Sequence, residues 1–353
     1  MSEFPPDADG TPAQFPDNPL PDGAPAEGPP AEAEGPPAEG APAEFAPGLE
    51  PGQAFDERHR SGYVALVGPP NVGKSTLMNA LVGQKLSIVT AKPSTTRHRV
   101  LGILSGEGDE ETPPYQIVFL DTPGIVRPQY RLHEAMMHAV DFAVADADVL
   151  LFMVDASHPG TPEQALERIG DRPAILLLNK IDLMPQEEAL PLVEKYTALR
   201  AFDAVIPTSA LKGFNLDTLL EQILERLPHG PPYYPKDQLS EHPERFFVAE
   251  IIREKVFELY REEIPYSTQV NIVTYEERPA SKDFIDAEIV VERDSQKGII
   301  IGKGGRGLKR LGAAARKDIE AFVGSPVYLQ LHVKARADWR NREGFLRSFG
   351  YET

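Results

Sequence analysis

Cysteine is absent from all 353 residues, which excludes disulfides, thiolate zinc sites and thiol catalysis. No apolar run approaches the roughly 18–20 residues that cross a bilayer. The N-terminus has no positive stretch followed by an apolar core, so no secretory signal is expected. It also lacks the arginines of an organelle transit peptide, which leaves the cytoplasm as the expected compartment. Lys and Arg are missing from residues 1–57, which hold 13 Asp and Glu. That region accounts for 13 of the 18 net negative charges, so the rest of the chain carries only 5. Overall acidity therefore does not argue against nucleic-acid binding; local patches decide.

Residues 1–55 contain 14 of the 35 prolines, in runs such as EGPPAEAEGPPAEGAPAE. Such a segment buries too little apolar surface to offset its ordering entropy. Residues 1–57 are expected to form a disordered, semi-extended tail. Its repeated EGPPAE reads as a solubilising extension or as a partner motif.

From Tyr63 the texture changes. YVALVG, YQIVFLD, ADVLLFMVD, PAILLLN and AVIP are short, nearly continuous apolar runs, the mark of strands buried on both faces. Helical spacing lies between them, at TLMNALVG and over 131–145, 162–169, 186–200 and 215–227. Strand–helix alternation predicts a doubly wound α/β sheet over 58–228, with a linker at 229–244. Residues 245–353 then read as helix, two strands with one exposed face, two helices around a glycine turn, and a strand, which is an α+β domain.

Gly68-Pro-Pro-Asn-Val-Gly-Lys-Ser75 fits the phosphate-binding P-loop and lies between a strand and a helix. Gly68, Asn71, Val72, Gly73, Lys74, Ser75 and Thr76 would cradle phosphates, with Lys74 neutralising oxygens and Ser75 reaching Mg²⁺. Asn179-Lys180-Ile181-Asp182 selects guanine, because the Asp182 carboxylate can accept both the N1–H and the exocyclic amine. Adenine offers no such donor pair. Asn179 is expected at the base edge and against the P-loop, and the Lys180 stem over the purine. Ser209, Ala210 and Leu211 follow the last strand, with the Ala210 N–H expected near the guanine oxygen. Asp121-Thr-Pro-Gly124 is expected to hold Mg²⁺ through Asp121 and to sense γ-phosphate through Gly124. Thr96 is the expected switch ligand to Mg²⁺, with Thr95 as its rival. Lys74, Thr96 and Gly124 are the candidate catalytic residues, acting by position and charge.

Gly302-Lys303-Gly304-Gly305 joins the two late helices, and residues 293–317 hold eight Lys or Arg against Asp294 alone. Glycines let backbone approach phosphates, and a GxxG turn of this kind clamps single-stranded RNA in KH modules. Ile301, Gly302, Lys303, Gly304, Gly305, Arg306 and Lys309 are the candidate RNA contacts, with Ile299, Ile300 and Leu308 as further groove walls. His98, His133 and His138 read as solvated helix or loop positions rather than as catalytic groups. Trp339, Phe345, Phe349 and Tyr351 read as packing the C-terminal tail rather than stacking bases. The helix over 245–263 with its basic surroundings offers a route to weak peripheral contact with the inner face of the cell membrane, although glutamates share its polar face.

GPPNVGKST, TTR, DTPGI, NKID and GIIIGKGGRGLKRLG, in that order, resemble the Era family of GTPases from about residue 60 to 353. The resemblance implies an α/β P-loop GTPase domain followed by a bacterial-type KH domain. It implies a monomer that alternates between GTP and GDP with Mg²⁺ and binds the 3′ end of small-subunit ribosomal RNA during maturation of the small ribosomal subunit. In relatives Asn71 corresponds to an asparagine that supports stimulation by K⁺. Ile125 stands where other GTPases carry a glutamine, which implies slow intrinsic hydrolysis. The GTP form is expected to be the one that binds RNA.

Overall fold

The computed structural model describes residues 56–352 apart from 161 and 280. The tail expected at 1–57 thus lies almost wholly outside the described residues.

The first layered unit runs β1 (Arg60–Val67), α1 (Lys74–Val82), β2 (Val100–Gly106), β3 (Tyr115–Asp121), α2 (Arg131–Asp146) and β4 (Val149–Asp155). It continues through α3 (Glu163–Ile169), β5 (Ile175–Asn179), α4 (Ala189–Thr197), β6 (Ala204–Pro207) and α5 (Leu216–Leu224). Sheet order is β2-β3-β1-β4-β5-β6, parallel except for β2. Ala65 and Val67 face α2, α3 and α4, while Val64 and Leu66 face α1 and α5. The sheet is therefore covered on both sides, which is why its strands read as unbroken apolar runs. Burial of each such Leu or Ile contributes about 1.5–3 kcal/mol.

Strand β2 is a sixth strand where the sequence indicated five. Its Val-Leu-Gly-Ile-Leu-Ser-Gly has no clean alternation, and it pairs antiparallel at the sheet edge. The segment after α5 covers that edge. The Ile103 N–H donates to the Leu239 carbonyl at 2.8 Å, and Ser240 Oγ donates to the Leu101 carbonyl at 2.6 Å. The aperiodic stretch read as a linker is thus a packed strap, which closes an edge that would otherwise invite pairing.

The second unit is α6 (Glu244–Leu259), β7 (Gln269–Glu276), β8 (Asp283–Val291), α7 (Asp294–Ile301), α8 (Arg306–Val323) and β9 (Val327–Ala335), ending with α9 (Glu343–Ser348). Its sheet is β7-β8-β9, with β7 antiparallel and β9 parallel to β8. Helix α6 is not the half-exposed amphipathic helix that its glutamates suggested. Glu250 and Glu254 are buried and paired, with Arg253 and Lys85 respectively. Ten consecutive-turn positions from Phe247 to Phe257 are buried, so α6 presents no free apolar face to a membrane. Trp339 is fully buried, with its Nε1 donating to the Ser267 carbonyl at 2.9 Å, and Tyr351 is buried beside it in the core of the first unit.

Candidate nucleotide and nucleic-acid sites

The loop between β1 and α1 turns through residues that most side chains could not occupy. Gly73 has φ 99°, and a Cβ there would lie 2.3 Å from Asn179 Nδ2. Both the conformation and the space demand glycine. Lys74 is the first residue of α1 and only 6% exposed. Its Nζ donates to the carbonyls of Gly68 at 3.2 Å and Pro69 at 2.9 Å. Burial pushes the ammonium down to about 8, against the pull of Asp121. Two neutral carbonyls are a poor substitute for water, so the site favours an arriving anion.

Three oxygens converge beside Lys74. Ser75 Oγ donates to Asp121 Oδ2 at 2.6 Å and lies 2.9 Å from Thr96 Oγ1. Asp121 Oδ1 is buried without a hydrogen-bond partner, and burial pushes this carboxyl up, opposed by Ser75 and Lys74. An orphaned carboxylate oxygen among hydroxyls fits a hard divalent cation, which would restore the missing partner. No cluster of three His, Asp or Glu suited to a metal exists among the described residues. Phosphate and water would therefore have to complete the shell, the habit of Mg²⁺. Thr95 is turned away, with its Oγ1 at 2.8 Å from Thr90 Oγ1 and donating to the Lys92 carbonyl. Geometry thus brings Thr96, not Thr95, to Ser75.

After β3, Gly124 lies against the P-loop, where a Cβ would be 2.6 Å from Pro70 Cα. The next N–H, of Ile125, donates to the Gly68 carbonyl at 3.1 Å. The Ile125 side chain points into the core and is 5% exposed.

On the base side, Asn179 is a brace. Its Nδ2 donates to the Val72 carbonyl at 2.8 Å, and its Oδ1 accepts the Ala210 N–H at 3.0 Å. The Ala210 N–H, expected near guanine, is here occupied by Asn179. Lys180 adopts φ 64° and sends Nζ to the Asn71 carbonyl at 2.6 Å and to Asp155 Oδ2 at 2.8 Å. Asp182 stands exposed in the 3₁₀ turn Ile181–Leu183. Ser209 is buried, its Oγ accepting the Lys212 N–H, while Leu211 is exposed. Val72 is buried under the loop and Thr76 is half-buried in the first turn of α1. Sequence reasoning passed over Asp155, although an acid closing an apolar strand of this sheet was visible as a signal.

The segment between α1 and β2 ties this site to the second unit. Asn79 Oδ1 accepts the N–H groups of Leu86 and Ser87, each at 2.9 Å. Glu254 on α6 takes Lys85 Nζ at 2.5 Å and the Val89 N–H at 3.1 Å. Lys92 Nζ donates to the carbonyls of Phe257 and Tyr260. Arg97, next to Thr96 and 3% exposed, donates to the carbonyls of Pro265 at 3.1 Å, Tyr266 at 2.9 Å and Thr268 at 2.7 Å. A buried guanidinium so placed is held in one geometry by its fork of donors.

Between α7 and α8 the chain makes a bare turn. Gly302, Gly304 and Gly305 have φ 68°, 61° and 76°. Lys303, Arg306 and Lys309 are exposed around it, and Arg306 Nε donates to the Lys303 carbonyl at 3.3 Å. Ile300 is fully buried in the core of this unit and so cannot wall a groove. Ile301 and Leu308 sit half-buried at the core margin, and Ile299 is 52% exposed.

Comparison with known proteins finds matches to both units of the fold. Residues 63–180 match the family model described as 50S ribosome-binding GTPase, and residues 263–340 match the KH domain model. A chloroplastic GTPase ERA1 of Zea mays is 50% identical over 309 residues, spanning 86% of this chain and 73% of that protein. A chloroplastic ERA-like GTPase of Arabidopsis thaliana is likewise 50% identical, spanning 86% and 71%. An Aquifex aeolicus Era variant bound to GDP·AlF4⁻ superposes with TM-score 0.78 at 43% identity, over 83% of this chain and all of that one. An Era crystal structure with MgGDPNP and nucleotides 1506–1542 of 16S ribosomal RNA superposes with TM-score 0.79 at 42% identity, over 84% and 100%. The fold and the phosphate loop define a P-loop GTPase carrying a C-terminal KH domain, an enzyme that converts GTP to GDP and phosphate. Within that class, the chain belongs to the Era family.

Proposed function

We propose that this chain is a Mg²⁺-dependent switch whose KH domain holds the 3′ end of small-subunit ribosomal RNA, and that it acts in the cytoplasm as a monomer during small-subunit maturation. The observation that carries the proposal is the adjacency of Thr96 and Arg97. Thr96 Oγ1 lies 2.9 Å from Ser75 Oγ in the phosphate site, while Arg97 is inserted among carbonyls of the second unit. A segment fixed at both ends can transmit the presence of γ-phosphate from one site to the other. The working division is a GTPase domain at 58–228, a linking strap at 229–244 and the KH domain with its tail at 245–353.

Ser75, Thr96 and Asp121 would hold Mg²⁺, which supplies charge compensation for the phosphates when bound. Lys74 and the P-loop N–H groups bind and orient the β- and γ-phosphates. The Gly124 N–H, lying against Pro70, follows the γ-phosphate position. Catalysis here is by position and charge. Ile125 is buried in the core and cannot orient an attacking water, so intrinsic hydrolysis is slow. K⁺ activation through Asn71 belongs to the same proposal. Asp182 reads guanine, and Lys303, Gly304, Gly305, Arg306 and Lys309 contact RNA phosphates beside Ile301. The 16S ribosomal RNA fragment bound by the superposed Era supports this choice of RNA.

The test is binding of a short 3′-terminal small-subunit ribosomal RNA with a non-hydrolysable GTP analogue and with GDP. Tight binding that weakens in GDP is the expected result. Equal affinity in both states would remove the switch, since a ligand shifts only states that it binds differently.

A further inference from the structure

Strand β4 ends on Asp155, which none of the phosphate or base motifs includes. Its carboxylate is built into the fold. Asp155 Oδ1 accepts the Ser157 N–H at 2.9 Å and the Ser157 hydroxyl at 2.6 Å. Oδ2 accepts Lys180 Nζ at 2.8 Å, and both side chains are mostly buried, at 14% and 24% exposed. The exposed His158 ring lies 3.8 Å from Oδ2 on the solvent side. Burial raises the Asp155 carboxyl, but the bonds from Lys180 and Ser157 outweigh it and hold it below the ordinary carboxylate range. The group is therefore charged when it grips Lys180.

What Lys180 does with its other end gives the contact its consequence. The same Nζ donates to the Asn71 carbonyl at 2.6 Å. Asn71 has φ 63° and Lys180 has φ 64°, so two non-glycine residues in the left-handed region are tied together through one ammonium. Such conformations persist only where their surroundings over-determine them. The lysine side chain crosses from the end of β5 to the P-loop, within the motif read as the guanine site. A free lysine would lose this pose, because its four-carbon chain has many rotamers.

We propose that Asp155 is a positioning residue of the nucleotide site: by holding Lys180 across to Asn71, it fixes the cover of the guanine ring and the shape of the P-loop bend, and so sets how long nucleotide stays bound. This rests on the reading of Asn179–Asp182 as the guanine site. It touches neither the phosphates nor the metal ligands, so it acts on retention and not on the chemical step.

The test is release of a ribose-labelled fluorescent GDP from the full chain, beside steady-state GTP hydrolysis. Asp155→Asn keeps the shape and removes the charge. It should speed release about tenfold and raise KM in proportion, with kcat within about twofold of wild type. In a Lys180→Met background the same change should alter release by less than about twofold, because the pair is already broken. Asp155→Glu, which retains the charge, should release nucleotide far more slowly than Asp155→Asn, at no more than about threefold the wild-type rate. Wild-type release in Asp155→Asn overturns the proposal. So does an equal acceleration in both backgrounds, or a Glu variant as fast as the Asn variant. A wild-type chain that fails to retain GDP in preference to ADP would overturn the guanine reading itself, an outcome distinct from the others.

Discussion

Two glycine turns lead into helices in this molecule, and they use glycine for different reasons. Before α1, Gly73 is walled in by Asn179, and Lys74 behind it is 6% exposed. Before α8, a Cβ on Gly304 or Gly305 would meet nothing within 4 Å, and Lys303 stands in solvent. The first turn is a finished cradle whose every wall is another part of the protein. Its selectivity lies in geometry and in the cost of leaving buried groups unpaired. The second turn is open. Its glycines satisfy left-handed backbone angles and leave room for an incoming strand, while its cations act through solvent. A substitution at the first site should therefore be severe and specific, and one at the second mild, additive and salt-dependent.

The largest effect should come from Asp182, the proposed reader of guanine, which stands exposed in the turn after β5. Asp182→Asn leaves an amide where guanine presents two donors, so GTP affinity should fall by roughly a hundredfold or more. Xanthine carries a carbonyl in place of the guanine amine, to which that amide can donate. Binding of a xanthine nucleotide should correspondingly rise. Loss of both nucleotides would instead mean a damaged loop, and titration with the two bases separates the cases.

A smaller effect, and one confined to the closed cradle, follows from Lys74. Burial brings its ammonium to about 8 in the free protein, and bound phosphate favours the charged form and raises that value. Below this pH the lysine is already protonated and binding takes up no proton. Above it, binding must capture one, so affinity falls as pH rises. GDP should bind roughly fourfold more weakly at pH 8.5 than at pH 7. Lys74→Arg, which does not titrate, should give a flat profile over this range. A wild-type profile equally flat would show that the lysine stays charged throughout.

The contrast between the turns also explains what the sequence made legible. Residues that must contact a ligand and satisfy a strained backbone leave short, dense motifs, and Gly68–Ser75, Asp121–Gly124 and Asn179–Asp182 all fall at strand ends in the structure. The buried strands β1, β3, β4 and β5 were visible for the same reason: burial on both faces permits little but apolar residues. Strand β2 was hidden, because an edge strand covered by a strap needs only half that pattern. Helix α6 misled, because two of its glutamates, which periodicity assigns to water, are buried and neutralised, Glu250 by Arg253 one turn along the same helix and Glu254 by Lys85 from the first unit. Arg97 was similarly opaque. Its partners are main-chain carbonyls some 170 residues onward, and carbonyls have no letter in a sequence. Asp155 belongs to this class as well, since its partner Lys180 is named by a motif and its own role is not.

The smallest effect tests the open turn directly. Lys303 is exposed, with no ion pair to lose among the described residues, so its removal should leave the fold untouched. If it meets only RNA phosphate, Lys303→Ala should weaken RNA binding by a few-fold at moderate salt, and by the same factor for every RNA sequence. The slope of log affinity against log salt should flatten by about 0.7, the value for one contact to a single strand. A sequence-dependent loss would show that Lys303 reads a base edge. An unchanged slope would place the strand elsewhere, on the Arg306 and Lys309 side of the turn, and would make the open site narrower than its glycines suggest.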